Sequence, residues 1–274
     1  MHRKVLKRIT RVFLSLLLLG AMVGTASSAT FDLCAGASTL TMPDLDGAGG
    51  QPAEVVPVWG FGEWIGGTCQ NISVPGPLVV VPVGDSILTI NLYNLLPEPV
   101  SLQILGQQLD RTVTGGVPQG PVWTVGLSDT VQNGARTPQD RVRSFGHEAP
   151  AATPGTPDTP GLATFQWTGF RTGTYLLTSG TNPAKQVQMG LFAAVKKDDA
   201  AGVAYPDDPS TTGFDESVPY DKELILVYSE LDPVIHAAIA EERYGANPTG
   251  PQPHISNSLE RDPKYFLING MAYD

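Results

Sequence analysis

Glycine and proline interrupt this chain at short intervals, and their spacing limits the folds that it can adopt. The 274 residues include 30 glycines and 24 prolines, scattered between apolar runs without a repeating period. The absence of a period excludes collagen, and the frequent interruptions argue against a helical bundle. Because 41% of the residues are hydrophobic, the chain can still bury a large core. The sequence therefore predicts many short strands joined by turns.

Several apolar segments have the length and alternation of β-strands. Residues 86–92 alternate apolar and polar side chains, and a β-branched run at 78–83 precedes them across a Gly84-Asp85 turn, which predicts a hairpin. Pro82 has no amide donor, so the first strand should lie at a sheet edge or contain a break. Further strands are predicted at 100–105, 122–127, 162–167, 173–178 and 189–195. Together they indicate an antiparallel sandwich or barrel.

The first 29 residues have the order of a secretory signal peptide. Five basic residues lie among the first eleven, an apolar run occupies 12–23, and small residues lead to Ala29. We expect cleavage after Ala29; the alternative is an uncleaved anchor, for which the apolar run is short. Without this segment the chain has 12 basic and 27 acidic residues, a formal charge of −15. An exported protein of this charge is expected in the periplasm or outside the cell, without nucleic acid or a stable membrane span.

Two cysteines, Cys34 and Cys69, are the only ones in the chain. In an exported protein such a pair is expected to form a disulfide, here across a glycine-rich loop. Metal ligation is the alternative, but neither cysteine has a histidine or a second cysteine beside it in the sequence.

The chain changes character after an acidic stretch at 197–219, which we interpret as a linker. A strand is predicted at 222–229, and Asp232 followed by Pro233 predicts the start of a helix that ends near Gly245. His236 lies on this helix and is expected to be partly exposed, without a ligand role. The C-terminal segment is too small for a core of its own, so it should pack back on the preceding domain or leave pairing edges open.

Three groups of residues resemble the N-terminal plastocyanin-like (cupredoxin) domain of multicopper oxidases. They are Pro75-Gly76-Pro77-Leu78, Val83-Gly84-Asp85-Ser86-Ile87 and Asn94-Leu95-Leu96-Pro97-Glu98-Pro99. The resemblance continues in order through residues 173–175, 186–195, 220–224 and 265–270. It implies an all-β fold, a cupredoxin-like antiparallel Greek-key sandwich with a short helix near the C-terminus. On this basis residues 30–196 form a cupredoxin-like domain, and residues 220–274 resemble the start of a second one.

Copper is the cofactor that the resemblance implies, with His-x-His pairs from two strands of the first domain binding a trinuclear cluster. In this sequence the first pair would fall at Gln103 and Leu105, and the second at Thr178 and Gly180. Leu105 and Gly180 have no donor atom in their side chains, and the neutral oxygens of Gln103 and Thr178 suit hard cations rather than copper. We therefore expect degenerate copper-ligand positions, no catalytic residue, and no cofactor in the isolated chain.

The histidines after residue 29, His147, His236 and His254, form no His-x-His pair and are not expected to replace the missing ligands. Two functions remain. The chain is either an exported multicopper-oxidase-like protein, noncatalytic alone, that serves as a scaffold or binding subunit, or a subunit of a split copper-dependent oxidase whose ligands come from a partner. A partner would be a separately encoded cupredoxin-domain chain or, by self-association, another copy.

Overall fold

The structure is a computed structural model. It describes residues 27–43, 53–110, 112–113, 117–118, 121–123, 142–155, 158–207, 217–245, 248–259 and 261–272. The basic and apolar parts of the predicted signal peptide lie outside the described residues, as do residues 124–127 of one predicted strand.

Five strands form the first sheet, in the order β11-β5-β1-β2-β3. They are β1 (Ser27–Met42), β2 (Glu54–Ile65), β3 (Thr68–Ser73), β5 (Asp85–Asn94) and β11 (Gly161–Thr168). β1 pairs antiparallel with β2 and parallel with β5. Leu88, Ile90 and Leu92 of β5 are fully buried, as the alternation in the sequence predicts.

Four strands form the second sheet, in the order β4-β13-β12-β6. They are β4 (Val79–Val81), β6 (Leu102–Ile104), β12 (Gly173–Ser179) and β13 (Phe192–Lys197). Side chains from both sheets, such as Phe165 and Trp167 of β11 and Leu177 of β12, form one apolar core. The predicted all-β sandwich is confirmed, and its pairing is mixed because β1–β5 and β4–β13 are parallel.

The predicted hairpin between residues 78–83 and 86–92 is wrong, because the two strands lie in different sheets. β4 pairs with β13, whereas β5 pairs with β1 and β11. Gly84, at a φ of +87°, turns the chain from one sheet to the other. The expectation for Pro82 is confirmed, since β4 ends at Val81 and is an edge strand.

The Cys34–Cys69 disulfide is confirmed, and most of the described residues between the two cysteines belong to strands. Cys34 lies on β1 and Cys69 on β3, on either side of β2. Glycines of β2 allow the neighbouring backbone to approach closely: a Cβ at Gly60 would lie 2.4 Å from the Ser73 carbonyl oxygen. Sequence analysis missed these three strands, and β1 includes Ser27, Ser28 and Ala29 of the predicted signal peptide.

Shorter elements complete the described structure. Two small ladders join β7 (Thr112–Val113) to β8 (Val117–Pro118) and β9 (Val122–Trp123) to β10 (Val142–Ser144). Helix α1 (Pro183–Met189) occupies the start of the strand predicted at 189–195, so that strand begins only at Phe192. Pro183 starts α1 and Gly190, at a φ of +116°, ends it, so the strand cannot begin before Gly190.

The C-terminal segment contains β14 (Tyr228–Leu231), α2 (Pro233–Ala240), β15 (Tyr265–Ile268) and β16 (Met271–Ala272). The predicted helix cap is confirmed: Asp232 Oδ1 accepts hydrogen bonds from the Val234 and Ile235 amides. The strand begins at Tyr228 rather than residue 222, and the helix ends five residues before Gly245.

This segment packs back on the first sheet. Ile235 and Ile239 enter the main core, and Tyr265 and Leu267 form a second cluster with residues of β1 and β2. Tyr265 Oη also donates a hydrogen bond to Glu54 Oε2 at 2.7 Å. The described residues include no helix with the length and apolar character to cross a membrane.

Candidate functional site

Gln103 and Thr178, two of the four positions at which the resemblance predicts copper ligands, lie directly opposite each other. Gln103 is on β6 and Thr178 on β12, and the antiparallel register pairs them. The Gln103 Nε2 amide donates a hydrogen bond to Thr178 Oγ1 at 3.1 Å. The structure therefore brings these two positions together, and their polar side chains bind each other.

Gly180 lies beside them, next to a pair of buried serines. Ser144 Oγ donates to Ser101 Oγ at 2.7 Å, and the Gly180 amide donates to the Ser101 carbonyl at 3.3 Å. A Cβ at Gly180 would lie 2.6 Å from Ser101 Oγ and 3.8 Å from the Gln103 side chain. The space in which a larger side chain at 180 would begin is therefore filled by Ser101.

Leu105, the fourth position, is separated from this cluster. It follows the last residue of β6, donates its amide to the Leu176 carbonyl at 3.0 Å, and is 51% exposed. The structure thus brings together three of the four positions and leaves the fourth at the surface.

A partly buried network of polar and charged side chains holds the chain that follows Gly180. Gln186 on α1 accepts a hydrogen bond from Ser179 Oγ at 2.6 Å and donates to Glu98 Oε1 at 2.8 Å. Lys185 Nζ lies 2.6 Å from Glu98 Oε2. No pattern in the sequence identified these residues, because they are 87 and 88 positions apart from Glu98.

Glu148 fixes the same turn from the other side. Its carboxylate accepts hydrogen bonds from Arg143 and from Thr181 Oγ1, the latter at 2.9 Å. Because the residues on both sides of Gly180 are held in this way, the backbone that places Gly180 against Ser101 is rigidly supported.

Each of the three histidines uses a ring nitrogen to bind a backbone carbonyl. His147 Nε2 lies 2.7 Å from the Thr164 oxygen, His236 Nδ1 lies 2.8 Å from the Pro57 oxygen, and His254 Nε2 lies 2.9 Å from the Gly250 oxygen. They lie on different parts of the fold, and no group of three metal-ligating side chains occurs among the described residues.

Burial lowers the pKa of both His147 and His236, because charging an imidazole away from water is unfavourable. His147 also stacks on Phe165, with ring centroids 4.2 Å apart. The expectation that His236 is partly exposed is wrong: it is 3% exposed, because α2 packs that face against β2.

The donor set at the degenerate positions does not fit copper. Copper sites in proteins use imidazole nitrogens and thiolate or thioether sulfurs. Here the Gln103 amide binds the Thr178 hydroxyl, the Ser144 and Ser101 hydroxyls bind each other, and both cysteine sulfurs are in the disulfide. The arrangement stabilises the β6–β12 ladder and provides no pair of nitrogen lone pairs for a metal.

A cleft of about 680 Å³ lies at the start of α2. Several of its lining groups already have partners: Asp232 caps the helix, Glu54 binds Lys264 at 2.9 Å, and both His254 nitrogens are hydrogen bonded. These groups of the cleft therefore serve the fold.

Comparison with known proteins finds no matching family model and no matching curated protein. Solved structures similar to this one include the multicopper oxidase mgLAC, at 16% identity and a TM-score of 0.45 over 89% of this chain and 54% of that chain. The Blue Copper Oxidase from Nitrosomonas europaea gives 15% identity and a TM-score of 0.46 over the same shares. Fet3p, a multicopper oxidase that functions in iron import, gives 20% identity and 0.44 over 89% and 33%.

The chain thus spans about half, or less, of the length of these structures. At such low identity and TM-score the similarity carries no argument about activity, substrate or partner.

Gly180→Ala tests the packing at the degenerate site. Because the added methyl meets Ser101 Oγ, we expect a loss of about 1 to 3 kcal/mol in the free energy of unfolding, measured by urea denaturation. Ser101→Ala removes the opposing oxygen, so the double variant should lose less than the sum of the two single losses. Strict additivity would contradict the contact.

The burial of His236 should make the free energy of unfolding depend on pH. The pKa of His236 is lowered in the folded chain, so the unfolded chain binds the proton more readily. The free energy of unfolding is therefore highest above pH 6.5, the ordinary pKa of histidine, and falls as the pH drops below it. Urea denaturation between about pH 7.5 and about pH 5 should show a decline that is smaller in His236→Gln. The same substitution at exposed His254 is the control, and an equal decline in wild type and His236→Gln would disprove the assignment.

Proposed function

We propose that this chain is an exported, cupredoxin-like protein that is noncatalytic on its own and serves as a scaffold or binding subunit. The observation that carries the proposal is the mutual hydrogen bonding of Gln103 and Thr178 beside the Gly180–Ser101 contact. Groups that bind each other in this way provide structural support rather than metal coordination.

Export is the second part of the proposal. The order of basic, apolar and small residues before Ala29 supports it, and the Cys34–Cys69 disulfide is typical of oxidising compartments. We place the mature protein in the periplasm or outside the cell.

The domain organisation belongs to the same proposal. Residues 30–196 would form the cupredoxin-like domain, residues 197–219 an acidic linker, and residues 220–274 a segment like the start of a second domain. Contacts of Lys196 with Tyr220 and Glu223 join the end of the domain to this segment.

A subunit of a split copper-dependent oxidase is the second candidate function. The observation in its favour is the outer edge of β14, which pairs with no other strand among the described residues and could receive one from a cupredoxin-domain chain. In that case the copper ligands would come from the partner.

Copper loading tests the noncatalytic role. After incubation with Cu²⁺ and dialysis against glycine, we expect much less than one copper per wild-type chain by mass spectrometry, and no oxygen consumption with phenolic or metal-ion reductants. Gln103→His/Thr178→His places two imidazoles opposite each other, so this variant should retain more copper than either single variant. Wild-type chain that retains one copper or more, with a charge-transfer band, would overturn the proposal.

Secretion provides a separate measurement. When the full chain is expressed in a bacterium with a general secretory pathway, intact mass should place the N-terminus of the exported protein at Thr30. Replacing the apolar Leu17 with Arg should retain the chain in the cytoplasm with its first 29 residues, because a charge disrupts the apolar run. Exported protein that retains those residues would contradict the cleavage, and wild-type protein confined to the cytoplasm would contradict export.

A further inference from the structure

The backbone of β14 has hydrogen-bonding groups on a side where the described residues provide no partner. The Val227 carbonyl accepts from Asn269, and the Leu231 carbonyl accepts from Lys264, so the odd-numbered residues face β15. Because successive residues of a strand direct their backbone groups to opposite sides, Tyr228 and Glu230 face the outer edge. This edge is available to another strand.

Residues 222–227, before β14, belong to no strand of the structure, but the odd-numbered residues nearest β14 continue the same pattern. Asn269 binds the Val227 amide at 2.9 Å and the Ile225 carbonyl at 3.1 Å, again through odd-numbered residues. Leu224 and Leu226 are 76% and 45% exposed, whereas Ile225 and Val227 are partly buried. Glu223 forms an ion pair with the buried Lys196, and because side chains alternate along an extended chain, the even-numbered ones share the opposite face.

The order of side chains on that face is complementary to itself. The residues are Lys222, Leu224, Leu226, Tyr228 and Glu230. When residues 222–230 of two copies lie antiparallel and extended with Leu226 opposite Leu226, Lys222 lies opposite Glu230 and Leu224 lies opposite Tyr228. Each cation then faces an anion and each apolar side chain faces an apolar one, which are the favourable cross-strand pairs.

We propose that two copies of this chain associate through residues 222–230, as antiparallel strands with Leu226 at the two-fold axis. All five residue pairs in this register are pairs of even-numbered residues. Because the backbone groups of even-numbered residues face the free edge, these five pairs are the hydrogen-bonded pairs of the ladder. The two three-stranded sheets of β14, β15 and β16 become one six-stranded sheet.

The charges favour a second copy over another occupant. A different strand would need an acidic residue opposite Lys222 and a basic residue opposite Glu230, eight residues apart, and the chain itself supplies both. Glu230 Oε1 also accepts a hydrogen bond from Arg261 at 2.6 Å, which holds its carboxylate at the edge. One pair of strands buries less surface than a standard interface, so the dimer should dissociate in the micromolar range. The inference does not rest on the proposed noncatalytic role.

Sedimentation of the wild-type mature chain between about 1 and about 200 µM should show a monomer–dimer equilibrium. Leu226→Lys brings two like charges together at the axis and should raise the dissociation constant at least about tenfold. Val234→Lys, at an exposed position on α2, is the matched control and should leave it unchanged. A wild-type chain that remains monomeric, or a dimer insensitive to Leu226→Lys, would overturn the proposal.

Leu226→Cys tests the register. Only this register places residue 226 opposite itself, with Cα atoms about 5.5 Å apart, a separation that a disulfide spans. Mild oxidation should therefore cross-link Leu226→Cys into a dimer far more than Val234→Cys. Equal cross-linking of the two variants would contradict the register.

Charge exchange distinguishes a second copy from a different partner. Lys222→Glu should weaken the dimer, and Lys222→Glu/Glu230→Lys should restore it, because opposite charges again face each other. Failure of the double variant to recover, with thermal melting like that of wild type, would overturn the pairing. So would a separately encoded chain that binds this edge more tightly than the second copy does.

Discussion

The pairing of β6 with β12 is the interaction on which the candidate site depends. It places Gln103 against Thr178 and brings Gly180 beside Ser101. Gln103, Thr178 and Gly180 are positions at which the resemblance in the sequence predicts metal ligands, and they hold an amide bound to a hydroxyl beside two serine hydroxyls that bind each other. The supports from Glu98, Gln186 and Glu148 fix the turn after β12, so the arrangement is a rigid part of the structure.

The histidines show the same use of polar groups for structure. His236 joins α2 to β2 through the Pro57 carbonyl, and His147 packs on Phe165 beside the Thr164 carbonyl. Burial lowers the pKa of both imidazoles, and the hydrogen bond to the carbonyl fixes the orientation of each ring. Both side chains therefore stabilise contacts between elements.

The C-terminal segment combines a buried face and an open edge. Leu231, Tyr265 and Leu267 pack against β1 and β2, so the segment is part of the described core. Among the described residues its outer strand, β14, nevertheless has one edge without a paired strand, and the side chains of Leu224, Leu226 and Tyr228 are exposed. Natural proteins usually protect such edges, and one that is left open and carries complementary charges suits association.

Sequence alone determined the features that depend on neighbouring residues: the alternation of β5, the cap of α2 at Asp232, the edge position of β4 at Pro82, and the absence of imidazoles at Gln103, Leu105, Thr178 and Gly180. Only the tertiary structure decided which strands pair, because the period of a strand specifies its buried face but not its partner. It also made strands of β1 and β2, whose glycines suggest a loop until Gly60 and Gly62 are seen against the backbone of β3. The burial of His236 and the separation of Leu105 from Gln103 likewise follow from contacts between distant segments, which local sequence does not encode.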